Sequence, residues 1–435
     1  IYTALFEAQN TLNWPGNVKK LRLADTNDDG VFDDILDVND EPGFETTGSN
    51  KGRIFYSALT YWTDAGELDN GLGDDPNNPE FVPESKDGRV VDRGGAGQQV
   101  PGFVTSYNFF IGTANGQTSS GKTSRTRYVE SASLVAPNGT TYVLSDDNLD
   151  AFNVSMDSSL EVPLDANDVT EAEELIRWGR GMDVDSATDP NGPRDWILGD
   201  SIHSRPFAIN YGDTDGTLTG FDPNNPNIRL LYGTGNGSFH ILDNINAGGT
   251  ESGKEIFAYY PRETLAQIRR RRAGDKIDEG TDMRYGVDGA PVVLTNDVNN
   301  DQSLTVAAGD EAFVYFGLRR GGYSYHALDI INPASPKLQW KISHTRDDNS
   351  EDFDELGLTF STPRVTTVSY NGEKVDALVF GGGYYGGWDP NDPAASSQFG
   401  KDNPTAGADN WGNAVYIVNA RTGALIWKAT GRATS

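Results

Sequence analysis

The chain has 435 residues, no cysteine, and 64 acidic against 35 basic side chains, a formal net charge of −29. Such a surface repels phosphates and anionic headgroups, which excludes nucleic acid as a partner and unaided docking to an acidic membrane. Disulfides, thiolate metal sites and cysteine nucleophiles are excluded too, and no run approaches the ~18 uninterrupted apolar residues of a transmembrane helix.

What remains is a turn-rich globular chain with Gly 50, Pro 21 and 10% aromatics. Its acidic excess suits divalent cations or a salty medium. Residue 1 is Ile with no charged, apolar, small-residue leader behind it, so a signal peptide is expected to be absent or already removed.

In chain order, residues 13–23, NWPGNVKKLRL, read as a turn and then a strand, with Val18, Leu21 and Leu23 available to a core. DTNDDGVFDDILD follows. Asp25, Asn27 and Asp29 stand at alternate positions, Gly30 at the sharp reversal, Val31 where a backbone carbonyl is used, and Asp33 at the ninth place. That is the order of a calcium loop, whose oxygen ligands suit a hard cation. Its twelfth place holds Leu36 rather than Glu, so a bidentate carboxylate has to come from nearby, Asp34 or Asp37. The competing reading is an Asp/Asn-rich turn whose side chains cap their own backbone.

Residues 39–128 carry little periodicity. IFYSALTYW and YNFFIG read as strands between long loops, around the Gly-rich tract RGGAGQQVPG. DPNNP or DPNDP at 75–79, 222–226 and 389–393 marks stiff surface insertions. YVESASLVAPNGTTYVLS, 128–145, is a hairpin turning at Pro137-Asn138-Gly139. DVTEAEELIRWGRG is a helix with Thr170 and Glu173 in capping-box spacing, Ala172, Leu175 and Ile176 on one face, and Gly179 and Gly181 as its stop.

From there a repeat emerges. A small-x-Pro step opens a strand at Ser204-Arg205-Pro206, Gly289-Ala290-Pro291 and Ser361-Thr362-Pro363. A second strand ends at Tyr232-Gly233, Phe316-Gly317 and Phe380-Gly381; a third at Asp243, Asp329 and Asn419; a fourth carries Phe257, Trp340 and Trp427. Four strands per unit, repeated, is the pattern of a propeller blade, with a β-sandwich as the plainer alternative. The expected fold is an all-β propeller over residues 1–435, with irregular N-terminal blades and long insertions in 1–190, three clear repeats in 191–435 and one or two short helices.

Between the repeats, ETLAQIRRRR after Pro261 reads as a short helix ending in Arg269–Arg272, the one strongly basic island. It serves either as a docking patch for an acidic partner or as a solvated helix terminus. NDVNNDQ offers Asp297, Asn299 and Asp301 for a second ion but lacks the glycine. Of His203, His240, His326 and His344, the middle two hold equivalent repeat positions, which explains them without a metal.

These phrases, WPGNVKKLRL, LIRWGRG, RDWILGDSIHSRP, LLYGTGNGSFHILD, GKEIFAYYP, YGVDGAPVV, GLRRGGYSYHALDI, LGLTFSTPRV and NAVYIVNARTGALIW, follow one another in a specific order. Together they resemble the C-terminal β-propeller of the PilY-type type IV pilus biogenesis factors, large adhesins associated with the pilus tip. The resemblance covers most of the chain and is closest over 194–430. It implies about seven blades, with closure of the ring left open here, and a non-enzymatic role: assembling and capping pili, opposing retraction and attaching to surfaces or host cells, with Ca2+ as regulator. It also implies minor pilins or a tip complex as partners, a surface or host receptor, and an extracellular location at the pilus tip or outer cell surface. The family's usual N-terminal von Willebrand type A domain is not visible. Neither is the late blade with its own calcium loop, so the metal assignment rests on Asp25, Asn27, Asp29, Val31 and Asp33 alone.

Two other functions compete. Thr422-Gly423-Ala424-Leu425-Ile426-Trp427 fits the strand ending of quinoprotein dehydrogenase blades, but it is clear only once and no cysteine pair brackets a quinone. A structural surface-layer or filament subunit would be served equally well by acidic loops.

Overall fold

The structure, a computed structural model, describes residues 1–66, 68, 85–100, 169–190, 192–213, 226–244, 250–265, 267–275, 285–333, 335–343, 352–384 and 412–431. It also describes the backbone of short strands at 118–119, 122–123, 127–130, 141–144 and 246–247. YNFFIG, His344, the Pro137–Gly139 turn and the three Pro-rich insertions, apart from Pro226, lie outside the described residues.

The N-terminal region is built from short ribbons. β1 (Tyr2–Phe6) pairs antiparallel with β2 (Gly16–Lys20), and β3 (Arg22–Ala24) with β4 (Asp34–Leu36). Val18 and Leu21 are fully buried as expected, whereas Leu23 is 43% exposed. The break at Leu21 between β2 and β3 restarts the alternation and turns Leu23 outward. IFYSALTYW is not a strand: it forms turns with isolated bridges at Ile54 and Tyr61. Its polar anchors override the propensity of its aromatics, since the buried Asp37 and Asp87 carboxylates accept the amides of Leu59 and Thr60.

The Gly-rich tract contains a short helix, α1 (Gly95–Gln99), that its glycines argue against. Buried Asn17 holds it, donating to the Val91 and Gly94 carbonyls while its Oδ1 accepts the Gly97 amide. β5 (Thr118–Ser119) and β6 (Lys122–Thr123) form a small ribbon. β7 (Arg127–Glu130) and β8 (Thr141–Leu144) are the arms of the expected hairpin. α2 (Val169–Gly179) begins one residue before Thr170, so Thr170 sits inside the first turn rather than capping it. Gly181 at φ +104° follows the helix end, as expected of a stop.

The repeat becomes three four-stranded antiparallel meanders. The first unit holds β9 (Phe207–Asp213), β10 (Pro226–Gly233), β11 (Phe239–Asp243) and β14 (Glu255–Tyr260), with the ribbon of β12 (Asn246–Ala247) and β13 (Thr250–Glu251) between the last two. A short helix, α3 (Gln267–Arg272), leads to the second unit: β15 (Val292–Asn296), β16 (Glu311–Gly317), β17 (Ser324–Asp329) and β18 (Lys337–Ser343). The third holds β19 (Arg364–Tyr370), β20 (Glu373–Gly381), β21 (Ala414–Asn419) and β22 (Leu425–Thr430). Every small-x-Pro step immediately precedes a first strand. The hairpin extends the first sheet through a parallel pairing of β7 with β14.

The units match residue by residue. Tyr232 pairs with His240, Phe316 with His326 and Phe380 with Tyr416. Each fourth strand is bulged at the same place, after the pairs Ile241–Phe257, Ala327–Trp340 and Ile417–Trp427.

Alternation along the strands then packs unit on unit. Leu231, Phe239, Ile241 and Phe257 face Val314, Phe316 and Leu328 of the second unit, whose opposite face (Tyr315, Tyr325, Trp340) meets Leu378, Phe380 and Val418 of the third. Phe239 stacks on Phe316 at 4.4 Å, and the equivalent Tyr325 meets Phe380 at 4.3 Å. Each buried aromatic of this kind stabilises by about 1.5–3 kcal/mol. A Cβ on Gly233 would lie 2.1 Å from the Val287 carbonyl oxygen of the next unit, and one on Gly317 would lie 2.9 Å from that of Thr359. The same close approach is thus used twice. The other face of the first unit (Leu230, Tyr232, Leu242) packs on Val18, Trp62, Ala96 and Ile197, which fixes the N-terminal region to the stack. The chain is all-β with few helices, its sheets open four-stranded units.

Candidate functional site

The Asp25 loop connects β3 to β4, whose pairing, Ala24 opposite Asp34, closes its base. Asp28 at φ +57° and Gly30 at φ +84° turn the backbone through the reversal. Asp25 Oδ1 accepts the Asp29 amide (3.2 Å) and Oδ2 the Gly30 amide (2.8 Å); Asn27 Oδ1 accepts Asp29 N–H (3.1 Å); Asp29 Oδ1 accepts Val31 N–H (2.8 Å). Asn27 Nδ2 donates to Asp29 Oδ2 at 3.2 Å. The loop therefore brings Asp25, Asn27, Asp29 and Val31 together and leaves Asp33 exposed outside the bonded set.

Of the two flanking carboxylates, Asp37 is committed: it is buried and accepts the amides of Asn39, Glu41 and Leu59. Asp34 turns back into the loop, where it accepts the amide and hydroxyl of Thr26. The donor set, two carboxylates, one amide oxygen and one backbone carbonyl on a preformed reversal, is the hard-oxygen chemistry that calcium takes. Among the described residues no three His, Asp or Glu side chains converge as a metal cluster. Every loop oxygen that accepts an amide keeps lone pairs to spare, but the cage needs oxygens beyond this set.

The second acidic cluster has the same geometry, which its sequence conceals. Asp297 Oδ1 and Oδ2 accept the amides of Asp301 (3.2 Å) and Gln302 (2.8 Å), Asn299 Oδ1 that of Asp301 (3.3 Å), and Asp301 Oδ1 that of Ser303 (2.9 Å). Asn300 at φ +55° and Gln302 at φ +65° repeat Asp28 and Gly30, so a glutamine occupies the left-handed place. Asp310 plays the part of Asp34, accepting the amide of Val298, the counterpart of Thr26. The aspartate-asparagine-aspartate spacing was the signal available; demanding a glycine obscures it.

The arginine island is internally neutralised. Arg269 pairs with Glu171 (2.8 Å), Arg270 with Asp275 (2.9 Å), and Arg272 with Glu174 (2.7 Å) and Asp185 (2.8 Å). Arg271 is buried and donates to the Leu12 carbonyl. These cations tie α3 to α2 and the N-terminal region rather than standing free for an acidic partner. His240 and His326 are likewise fully buried: His240 lies between Glu255 (2.7 Å) and Thr234 (2.9 Å), and His326 between Ser324 (2.7 Å) and Tyr259 of the preceding unit (3.1 Å).

Where the units meet, charge and indole clamp them. Arg421 of the third unit reaches Glu311 of the second (2.6 Å) and Asp376 of its own (2.9 Å). Trp340 Nε1 donates to the Ala420 carbonyl (2.9 Å), its ring lying against Gly423, where a Cβ would come within 3.0 Å. Among the described residues no helix is long and apolar enough to cross a membrane.

No family model matches the chain. It is similar to the type IV pilus biogenesis factor PilY1 of Pseudomonas aeruginosa strain PAK, 27% identical over 234 residues, covering 51% of this chain and 18% of that protein. PilY1 of strain UCBPP-PA14 is 26% identical over 291 residues (59% of this chain, 21% of that one). A PilY1 homolog of Xylella fastidiosa is 30% identical over 192 residues (40% and 14%). Among solved structures, the Pseudomonas aeruginosa PilY1 C-terminal domain matches with TM-score 0.27 and 23% identity, covering 48% of this chain and 31% of that one. The matched region thus spans about a fifth or less of each curated relative. Fold and likeness together define an all-β protein of packed four-stranded units, related over about half its length to type IV pilus biogenesis factors. Over that half the chain resembles the PilY-type proteins.

Proposed function

We propose that the chain is part of a non-enzymatic type IV pilus biogenesis factor that works at the pilus tip or outer cell surface. There it supports pilus assembly, binds minor pilins or a tip complex, and attaches to a surface or host receptor. What carries this reading is the similarity to PilY1 proteins over more than half of the chain. The units are read as blades of a propeller, supported by the twice-repeated aromatic and glycine contacts and by Trp62, which lies against Gly253 and donates to Asn244 much as Trp340 lies against Gly423. A stiff stack of this kind holds long loops apart from one another, and those loops present the binding surfaces.

Complementation tests the reading. The region of a PilY1 protein equivalent to this chain is replaced by it in a strain lacking its own copy, and surface pili are counted. Pili are expected to return. A chimaera that is folded and exported yet leaves the cells bare would overturn the assignment.

Calcium is the proposed regulator, held by Asp25, Asn27, Asp29 and the Val31 carbonyl, with Asp33 joining on binding and Asp34 as the nearest further carboxylate. When bound, the ion would stiffen the β3–β4 loop and alter partner affinity, and through it retraction. Calorimetry of the chain with and without Asp29→Ala tests this site: the substitution should remove one binding event. Equal calcium uptake by both proteins would discard it.

A further inference from the structure

At one end of the stack, the segments leading into first strands meet the loops that follow second strands. His203, Asp288 and Phe360 hold the same place in the three units, three residues ahead of Pro206, Pro291 and Pro363. His203 Nδ1 lies 2.8 and 2.9 Å from the two oxygens of Asp288, and Arg319 Nε lies 3.3 Å from the same carboxylate. The Arg319 guanidinium sits 5.3 Å from the Phe360 ring centre. Alongside, Tyr285 is 6.2 Å from the His203 ring and receives Arg320, which donates to its hydroxyl (2.9 Å) and lies over its ring at 5.1 Å. One continuous strip of cations and aromatic rings therefore crosses all three units.

Two features set this strip apart in a chain of charge −29. Its carboxylate, Asp288, is buried and already bonded, while Arg320 is exposed and has no acidic partner among the described residues. By contrast Arg22, Arg89, Arg269, Arg270, Arg272 and Arg421 each have one. Arg319 is also held in place at φ +52°, with Thr359 Oγ1 accepting the amides of Leu318 and Arg319. Such local strain persists only where the surroundings fix it. Arginine beside tyrosine and phenylalanine, with carboxylates depleted, is the composition of interface centres.

We propose that this strip is a docking surface for an acidic segment of a partner protein, its carboxylates received by Arg320 and Arg319. The inference does not depend on the pilus reading. At about 0.15 M salt the screening length is about 8 Å, so the remote negative charge of the chain is damped while direct contacts persist.

The test is fluorescence anisotropy of a labelled hexaglutamate peptide titrated with the whole chain, with inorganic phosphate as competitor. Arg320→Gln removes an exposed side chain whose partner among the described residues is Tyr285, and is expected to weaken peptide binding at least ~10-fold, the loss of one charge-assisted pair. Arg53→Gln, at an exposed turn of the N-terminal region, is expected to leave binding unchanged. No saturable binding by the unmodified chain would overturn the proposal. So would equal losses in the two variants, or displacement of the peptide by phosphate at equal concentration, which would make this an ion site only.

Discussion

At the scale of single residues the chain stores electrostatic cost in its interior. Asp200, buried between the N-terminal region and the first unit, has one oxygen without a hydrogen-bond partner. Burial pushes its carboxyl up to about 6, opposed by the positive charge of Arg271 and reinforced by Asp288. The folded state then binds the proton more tightly than the unfolded chain does. This contribution to stability is fully present below the unfolded value near ~4 and is lost as pH rises through about 6. Asp200→Asn keeps the shape and removes the buried charge. It is expected to stabilise at pH 8 by up to ~3 kcal/mol, with the gap closing between pH 6 and 4 in urea midpoints. A gap that widens on acidification would refute this account. Residue chemistry was the least legible part of the sequence: the exposed strip around Arg320 carries no motif because it gathers His203, Tyr285 and Asp288 from distant parts of the chain, whereas Gln302 in the left-handed place masks a loop whose acidic spacing is local.

At the scale of elements, legibility followed the source of stability. The three meanders could be read in the sequence because their inner strands, such as Glu311–Gly317 and Ser324–Asp329, bury residues on two apolar faces, and because Tyr232, Phe316 and Phe380 mark the same step before a glycine. Nothing comparable marks residues 1–100. There the backbone is held by buried polar knots: Lys19 salt-bridged to Asp87 at 3.0 Å with both side chains fully buried, Asn17 across the Gly94 turn, and Asp37 gathering three amides. Each knot satisfies polar groups that would cost ~1–3 kcal/mol if left unpaired, yet none leaves a periodicity in the sequence. For the same reason IFYSALTYW, apolar enough for a strand, folds into turns. The Asp25 loop was legible as a pattern because its ligand order is local, whereas the commitment of Asp37 to the Leu59 amide was not.

At the scale of the whole molecule, one face of the stack differs from its equivalents. Phe257 and Trp340, on the fourth strands of the first two units, are 0% and 8% exposed, covered by the next element in line. The equivalent Trp427 of the third unit is 50% exposed, and Val415, in the place of Phe239 and Tyr325, is 43% exposed. The same pleated face has twice been matched to a neighbouring unit, so it is an apolar face of a kind that packs on another sheet, and the same exposed face of a second copy is the surface it is expected to meet. The chain is therefore expected to self-associate in sedimentation velocity at tens of micromolar, more strongly as salt screens its −29 charge. Trp427→Glu places a charge at the centre of that face and is expected to restore a monomer while leaving the unfolding midpoint within about 0.5 kcal/mol of the unmodified chain, as befits an exposed position. If the unmodified chain stays monomeric at high salt, or the variant associates just as well, then Trp427 does not form such a contact between copies.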